Sequence, residues 1–226
     1  MKRGFIMRAW NKWLWIISVV VVFLVSSAFY EKDLSKEIGE VKFHISSPTK
    51  MYLINEEDLK EYLYQFVDTL EQTSRDKISL FQLERILSDY SHIKTAEVYF
   101  DRLSNIHMNV DLKQPMLRYI SRGSRGFYID ENGDKIDWTP NYTPRLIIAR
   151  GNLSEELVND SINPAFEEEL EVIAKCGKAI EKSSYLQSIV DEILFESITD
   201  IQLVSKIGNA KVLLGDTTDL DAKLDR

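Results

Sequence analysis

Residues 13–30, WLWIISVVVVFLVSSAFY, run for eighteen positions without a charged side chain. A helix needs about 20 such residues to cross the hydrocarbon layer of a bilayer, so the run is long enough to be read as a spanning segment. Trp10, Trp13 and Trp15 stand at one end and Phe29 and Tyr30 at the other, as interfacial aromatic belts require. Lys2, Arg3, Arg8 and Lys12 precede the run, which places its N-terminal side in the cytoplasm. The expectation is a cytoplasmic tail (1–12), a transmembrane helix (13–30) anchored by Trp13, Trp15, Phe29 and Tyr30, and a body on the far side of the membrane. A cleaved signal peptide is the alternative, since Ser26-Ser27-Ala28 offers the small residues a peptidase takes. The length of the run and bulky Phe29 and Tyr30 favour the anchor. No cysteine lies here, which excludes a lipoprotein.

Beyond residue 30 the chain carries 24 basic and 36 acidic side chains, a net −12. Such a body repels phosphate backbones, which argues against nucleic-acid binding. Cys176 is the sole cysteine, so neither an internal disulfide nor a cysteine-based zinc site can form. In a helix it reads as a small packing residue.

After a polar stalk (31–40), VKFHI (41–45) alternates as a half-buried strand. Asn55 then caps a helix whose first turn holds Glu56, Glu57 and Asp58. Its apolar stripe runs through Leu59, Tyr62, Leu63, Phe66, Val67 and Leu70. Ser79 and Gln82 form a capping-box pattern before a second helix with Leu80, Leu83, Leu87 and Tyr90 on its apolar side. KTAEVYFD (94–101) and the alternating NIHMNVDL (105–112) read as an antiparallel hairpin. The order β-α-α-β-β implies helices on one face of a small sheet (41–114) and water on the other.

From Pro115 the pattern becomes mostly β (115–226). MLRYI (116–120), FYID (127–130), DKID (134–137) and RLIIA (145–149) are short strands. One helix is expected over about 165–182, with Phe166, Leu170, Ile173, Gly177 and Ile180 on one stripe. EILFES (192–197), IQLVSK (201–206) and AKVLLG (210–215) are the last strand-like segments. The fold class is therefore α+β, with an N-terminal transmembrane helix.

Patterns that carry chemistry are scarce. YIDENGDKID (128–137) begins like a calcium loop at Asp130, but such a loop needs a glycine at position 135 and a glutamate at 141. The chain has Lys135 and Asn141, and the flanks are strands, so Asn132-Gly133 reads as a hairpin turn. His44 and His107 fall on polar strand faces and His92 between a helix and a strand, none with a sequence neighbour at ligand or triad spacing. No nucleophile elbow, phosphate loop, dinucleotide fingerprint or zinc-protease motif occurs. Asp219-Leu220-Asp221 resembles the acidic pair of type II membrane glycosyltransferases, a pattern that arises freely by chance in an acidic chain. The three sequons, at Asn141, Asn152 and Asn159, matter only in a eukaryotic secretory route. These readings leave no catalytic, cofactor-binding or metal-binding residue to nominate. They favour a tethered protein that holds partners, with AKVLLG able to accept a partner strand by backbone pairing.

HIKTAEVYFD (92–101), IHMNVDLKQPMLRYI (106–120), FYIDENGDKID (127–137) and YTPRLIIARG (142–151) appear in that order behind the anchor. Taken together they resemble the bacterial FtsQ/DivIB cell division family in its Bacteroidetes-type form. The resemblance spans nearly the whole chain. It implies a cytoplasmic tail, one transmembrane helix, a POTRA domain over 41–114 and a β domain over 115–226. It also implies a non-enzymatic divisome scaffold at the septum, in the inner membrane, that holds FtsB and FtsL-type partners and supports septal peptidoglycan synthesis. No cofactor, small-molecule substrate or nucleic acid is implied. Lys113-Gln114 stands where the family usually has an acidic-basic pair. The chain stops at DTTDLDAKLDR (216–226), where family members continue with a helix and a further strand, so the C-terminal end reads as truncated. Candidate partner contacts are Val212, Leu213 and Leu214. A POTRA-bearing outer-membrane assembly or secretion factor, or a type II membrane enzyme, is the alternative.

Overall fold

The computed structural model describes residues 15–26, 36–67, 70, 73–120, 126–154, 156–158, 161–208 and 210–224. Residues 15–26 form helix α1, and their side chains are exposed. Among the described residues, no helix is long and apolar enough to cross a membrane. The span expected over 13–30 therefore stands unconfirmed: Trp13, Phe29 and Tyr30 lie outside the described residues, and Trp15 lies in α1 with its ring exposed.

The next elements are β1 (Val41–Ser46), α2 (Glu56–Leu63), α3 (Leu80–Ser88), β2 (Ile93–Phe100) and β3 (Ile106–Leu112). They build a three-stranded sheet in the order β1-β3-β2, with β1 parallel and β2 antiparallel to β3. Leu59 and Leu63 of α2 and Leu83 and Leu87 of α3 pack on Ile106, Met108, Val110 and Leu112. Each fully buried side chain of this kind contributes about 1.5–3 kcal/mol.

Two local expectations are corrected here. Helix α2 ends at Leu63, short of the apolar stripe, because Gln65 and Phe66 turn their N–H groups to the i−3 carbonyls of Tyr62 and Leu63. Leu70 still reaches the core, but from beyond the helix. The reciprocal capping box sits at Asn55, where Asp58 N donates to Asn55 Oδ1 (3.0 Å) and Asn55 N donates to Asp58 Oδ2 (2.7 Å). Ser79 shows the single arm in which its Oγ accepts from Gln82 N.

The rest of the chain supplies β4 (Pro115–Ile120), β5 (Phe127–Asp130), β6 (Lys135–Ile136), β7 (Ile147–Gly151), the small pair β8 (Leu157–Val158) and β9 (Ser161–Ile162), α4 (Pro164–Lys182), α5 (Ser184–Ile189), β10 (Val190–Ser197), β11 (Asp200–Ser205), β12 (Lys211–Gly215) and α6 (Leu220–Leu224). Seven strands form one mixed sheet in the order β12-β11-β10-β7-β4-β5-β6. Its centre, β10-β7-β4, is parallel, and both flanks are antiparallel. Helix α4 lies on this sheet. Asn163 caps it, Pro164 opens it, and Phe166, Leu170, Ile173, Cys176 and Ile180 face Leu117, Ile193, Phe195 and Leu203. A Cβ on Gly177 would come within 2.8 Å of Leu117 Cδ2, so glycine there sets how closely α4 approaches β4. Helices α5 and α6 and the pair β8–β9 were not expected from the sequence.

A third, smaller cluster joins the two sheets. Leu53, from the loop before α2, packs with Tyr128 and Ile136 of β5 and β6. Beside it Ser91 Oγ donates to Asp137 Oδ2 (2.8 Å), and Asn141 Nδ2 donates to Asp58 Oδ2 (2.6 Å).

Candidate partner-docking edge

A strand at the end of a sheet leaves one row of backbone N–H and C=O groups unpaired. In the large sheet the two ends are β6 and β12. Strand β6 has only two residues, and Lys135 is tied to Glu156 (2.5 Å) and Asp137 (3.5 Å). Strand β12 has five residues and pairs on one side only, with Gln202 opposite Leu213 and Leu203 opposite Val212. Val212 is 53% exposed and Leu213 74% exposed, an unusual pair of large aliphatics on an open edge. Leu214, nominated beside them, is 6% exposed and belongs to the core of the large sheet.

The segment after β12 holds the strand in place. Gly215 takes a φ of +73°, a left-handed turn that glycine adopts without strain. Lys223 Nζ then closes the loop on Asp216, meeting its Oδ1 at 2.6 Å and its carbonyl oxygen at 3.0 Å. The lysine's hydrogen bond holds the Asp216 carboxyl below the usual range, and the Thr218 N–H adds to it. Leu220 and Leu224 of α6 pack against the core of the large sheet. Next to β12 opens a groove of about 440 Å³, lined by Tyr185, Leu186, Ile189, Leu203, Val212 and Leu224. The apolar lining suits side chains of a segment lying along the edge.

The acidic decapeptide is structural. Asp130 Oδ1 accepts from Asn132 N (2.8 Å) and Asp134 N (2.9 Å), so its carboxylate is consumed by the turn between β5 and β6. The loop is longer than a two-residue hairpin because Ile129 already pairs with Lys135. Gly133, at φ +92°, passes within 3.2 Å of the α4 backbone at Glu171 when a Cβ is added, so the turn docks on the helix. Asp219 and Asp221 flank the start of α6 beside Lys175, Lys178 and Lys182. Cys176 is buried, and burial pushes its thiol up to about 11. Among the described residues no group of three or more metal-ligating side chains gathers.

The histidines are less isolated than their spacing suggested. On the outer face of the small sheet, His44 Nε2 lies 3.2 Å from His107 Nδ1, and His107 Nε2 lies 3.2 Å from Asp101 Oδ2. Linear spacing hid this contact because β1 and β3 are neighbours only in the folded sheet.

Residues 114–226 match the family model described as "FtsQ/DivIB, C-terminal related". The chain belongs to the FtsQ/DivIB family. No curated protein matches it significantly. Membership carries a role in cell division and contacts with other division proteins, and the family is a non-enzymatic one. The matched region holds the whole seven-stranded sheet and the β12 edge of this FtsQ/DivIB-type protein.

Proposed function

We propose that this protein is a non-enzymatic scaffold of the divisome, anchored in the inner membrane by residues 13–30 with the tail at 1–12 in the cytoplasm and the bulk in the periplasm. It links early and late division proteins at the septum and supports septal peptidoglycan synthesis by holding FtsB and FtsL-type partners. The POTRA domain spans 41–114 and the β domain 115–226. The observation that carries the reading is an open β12 edge with exposed Val212 and Leu213, inside the region that matches the family. A partner strand added there pairs its backbone with β12 and sets alternate side chains into the neighbouring groove. Leu214 supports the edge from beneath. Anchoring raises the effective concentration of partners, so weak individual contacts suffice.

The test is the position of an N-terminally tagged copy in dividing cells, together with co-purification of FtsB and FtsL-type proteins. The expected result is a midcell band before constriction, and loss of co-purification in Leu213→Asp while the protein level holds. An even distribution around the envelope, with no division protein recovered, would refute the proposal.

A further inference from the structure

The outer face of the small sheet carries a second polar arrangement, apart from the β12 edge. Asp101 is fixed from several sides. Its Oδ1 accepts from Leu103 N (2.8 Å) and Asn105 N (2.9 Å), and its Oδ2 from Asn105 Nδ2 (2.8 Å). The Asn105 side chain does most to hold this carboxyl below the usual range. A carboxylate can only accept, so His107 must donate from Nε2 and, when neutral, present a lone pair at Nδ1. Tyr99 stacks on His107 with ring centroids 5.2 Å apart and planes 7° apart, which restrains the ring on its other side. His44, from the neighbouring strand, brings Nε2 to 3.2 Å from that Nδ1, with its ring plane within 11° of that of His107.

We propose that His44 Nε2 and His107 Nδ1 form a two-ligand chelate for a divalent first-row transition ion of the Zn²⁺ or Cu²⁺ kind, with water completing the shell. Two imidazole nitrogens 3.2 Å apart, each bound at about 2.0–2.1 Å, subtend an angle of about 100° at the ion. That lies between the square-planar and tetrahedral angles. The rings now meet end to end, so binding requires His44 to move its ring proton from Nε2 to Nδ1 and to swing its own ring, while Asp101 and Tyr99 keep His107 in place. His44 is exposed, and no proton is lost in the exchange. Asp101 supplies the carboxylate that orients a ligating histidine from behind, an arrangement that strengthens metal ligation. Imidazole ligands suit zinc, copper and nickel and disfavour magnesium and calcium.

The experiment is calorimetric titration of the full chain in detergent with Zn²⁺, and electron paramagnetic resonance with one equivalent of Cu²⁺. The H44A/H107A pair serves as the baseline for adventitious binding to the acidic surface. One saturable Zn²⁺ site and a two-nitrogen copper spectrum are expected in the parent and absent in H44A, H107A and the pair. D101N is a positioning variant, expected to bind about 10–100-fold more weakly with the two-nitrogen spectrum retained. Circular dichroism confirms that each variant is folded. Should one fail to fold, diethyl pyrocarbonate labelling of parent His44 and His107, with and without Zn²⁺, replaces it; protection of both supports the site. Equal binding by parent and the folded double variant, no saturable binding by the parent, or no protection would each overturn the proposal.

Discussion

Neighbouring residues on β12 do opposite work. Leu213 projects into solvent, whereas Leu214 packs among the side chains of the large sheet. Leu213→Ala is therefore expected to change the unfolding free energy by no more than about 0.5 kcal/mol, and Leu214→Ala to lower it by about 2–5 kcal/mol. Urea denaturation of the two variants checks this; equal losses would mean that Leu213 is also a core residue. Cys176 makes a second residue-scale case. Its thiol is buried and pushed up to about 11, so the native protein should react with a thiol reagent far more slowly than the urea-unfolded chain. Similar rates would show that the core around α4 opens readily.

Among the elements, the most legible were those with clean periodicity. The β3 strand alternates strictly, and α4 carries its stripe over five turns, so both lie close to where their patterns put them. Helix α2 is shorter than its apolar pattern, since the stripe from Leu59 to Leu70 continues past a chain that has already turned at Tyr64. Helices α5 and α6, of six and five residues, are too short for a periodic signal. Capping was legible in residue type and less so in completeness, because a side chain reaching back to the cap's own N–H depends on its rotamer. At Asn55 both arms are present, so Asn55→Ala should cost about 1 kcal/mol, read from the thermal midpoint. An unchanged midpoint would mean that α2 is held by packing alone. The edge role of β12 could be guessed because the strand comes last. The split between Leu213 outside and Leu214 inside could not, since three aliphatics in a row carry no alternation. The His44–His107 contact was out of reach for another reason: parallel pairing of β1 with β3 joins residues 63 positions apart.

For the molecule as a whole, the junction between the two sheets carries its own pH dependence. His92 is 4% exposed, its Nε2 has no hydrogen-bond partner, and Ser91 beside it bonds to Asp137 across the junction. Burial pushes the imidazole below its ordinary value; Asp137 and Asp58 pull it partly back, and Lys113 pushes it further down. The unfolded chain then takes up this proton first, so stability is full above about 6.5 and declines as pH falls below it toward the lowered folded value. Unfolding free energies measured between pH 8 and 5 should show that decline, and His92→Gln should flatten it; the same slope in both would move the effect to another group. The parallel centre of the large sheet has a different consequence, in time rather than in energy. Strands β4, β7 and β10 come from residues near 118, 148 and 193, and β12 attaches only outside them, through β11. Pairings this distant in sequence form slowly, whereas β10, β11 and β12 follow one another in the chain and pair through local antiparallel contacts. The C-terminal meander is therefore expected to form first, and the seam between β10 and β7 to close last.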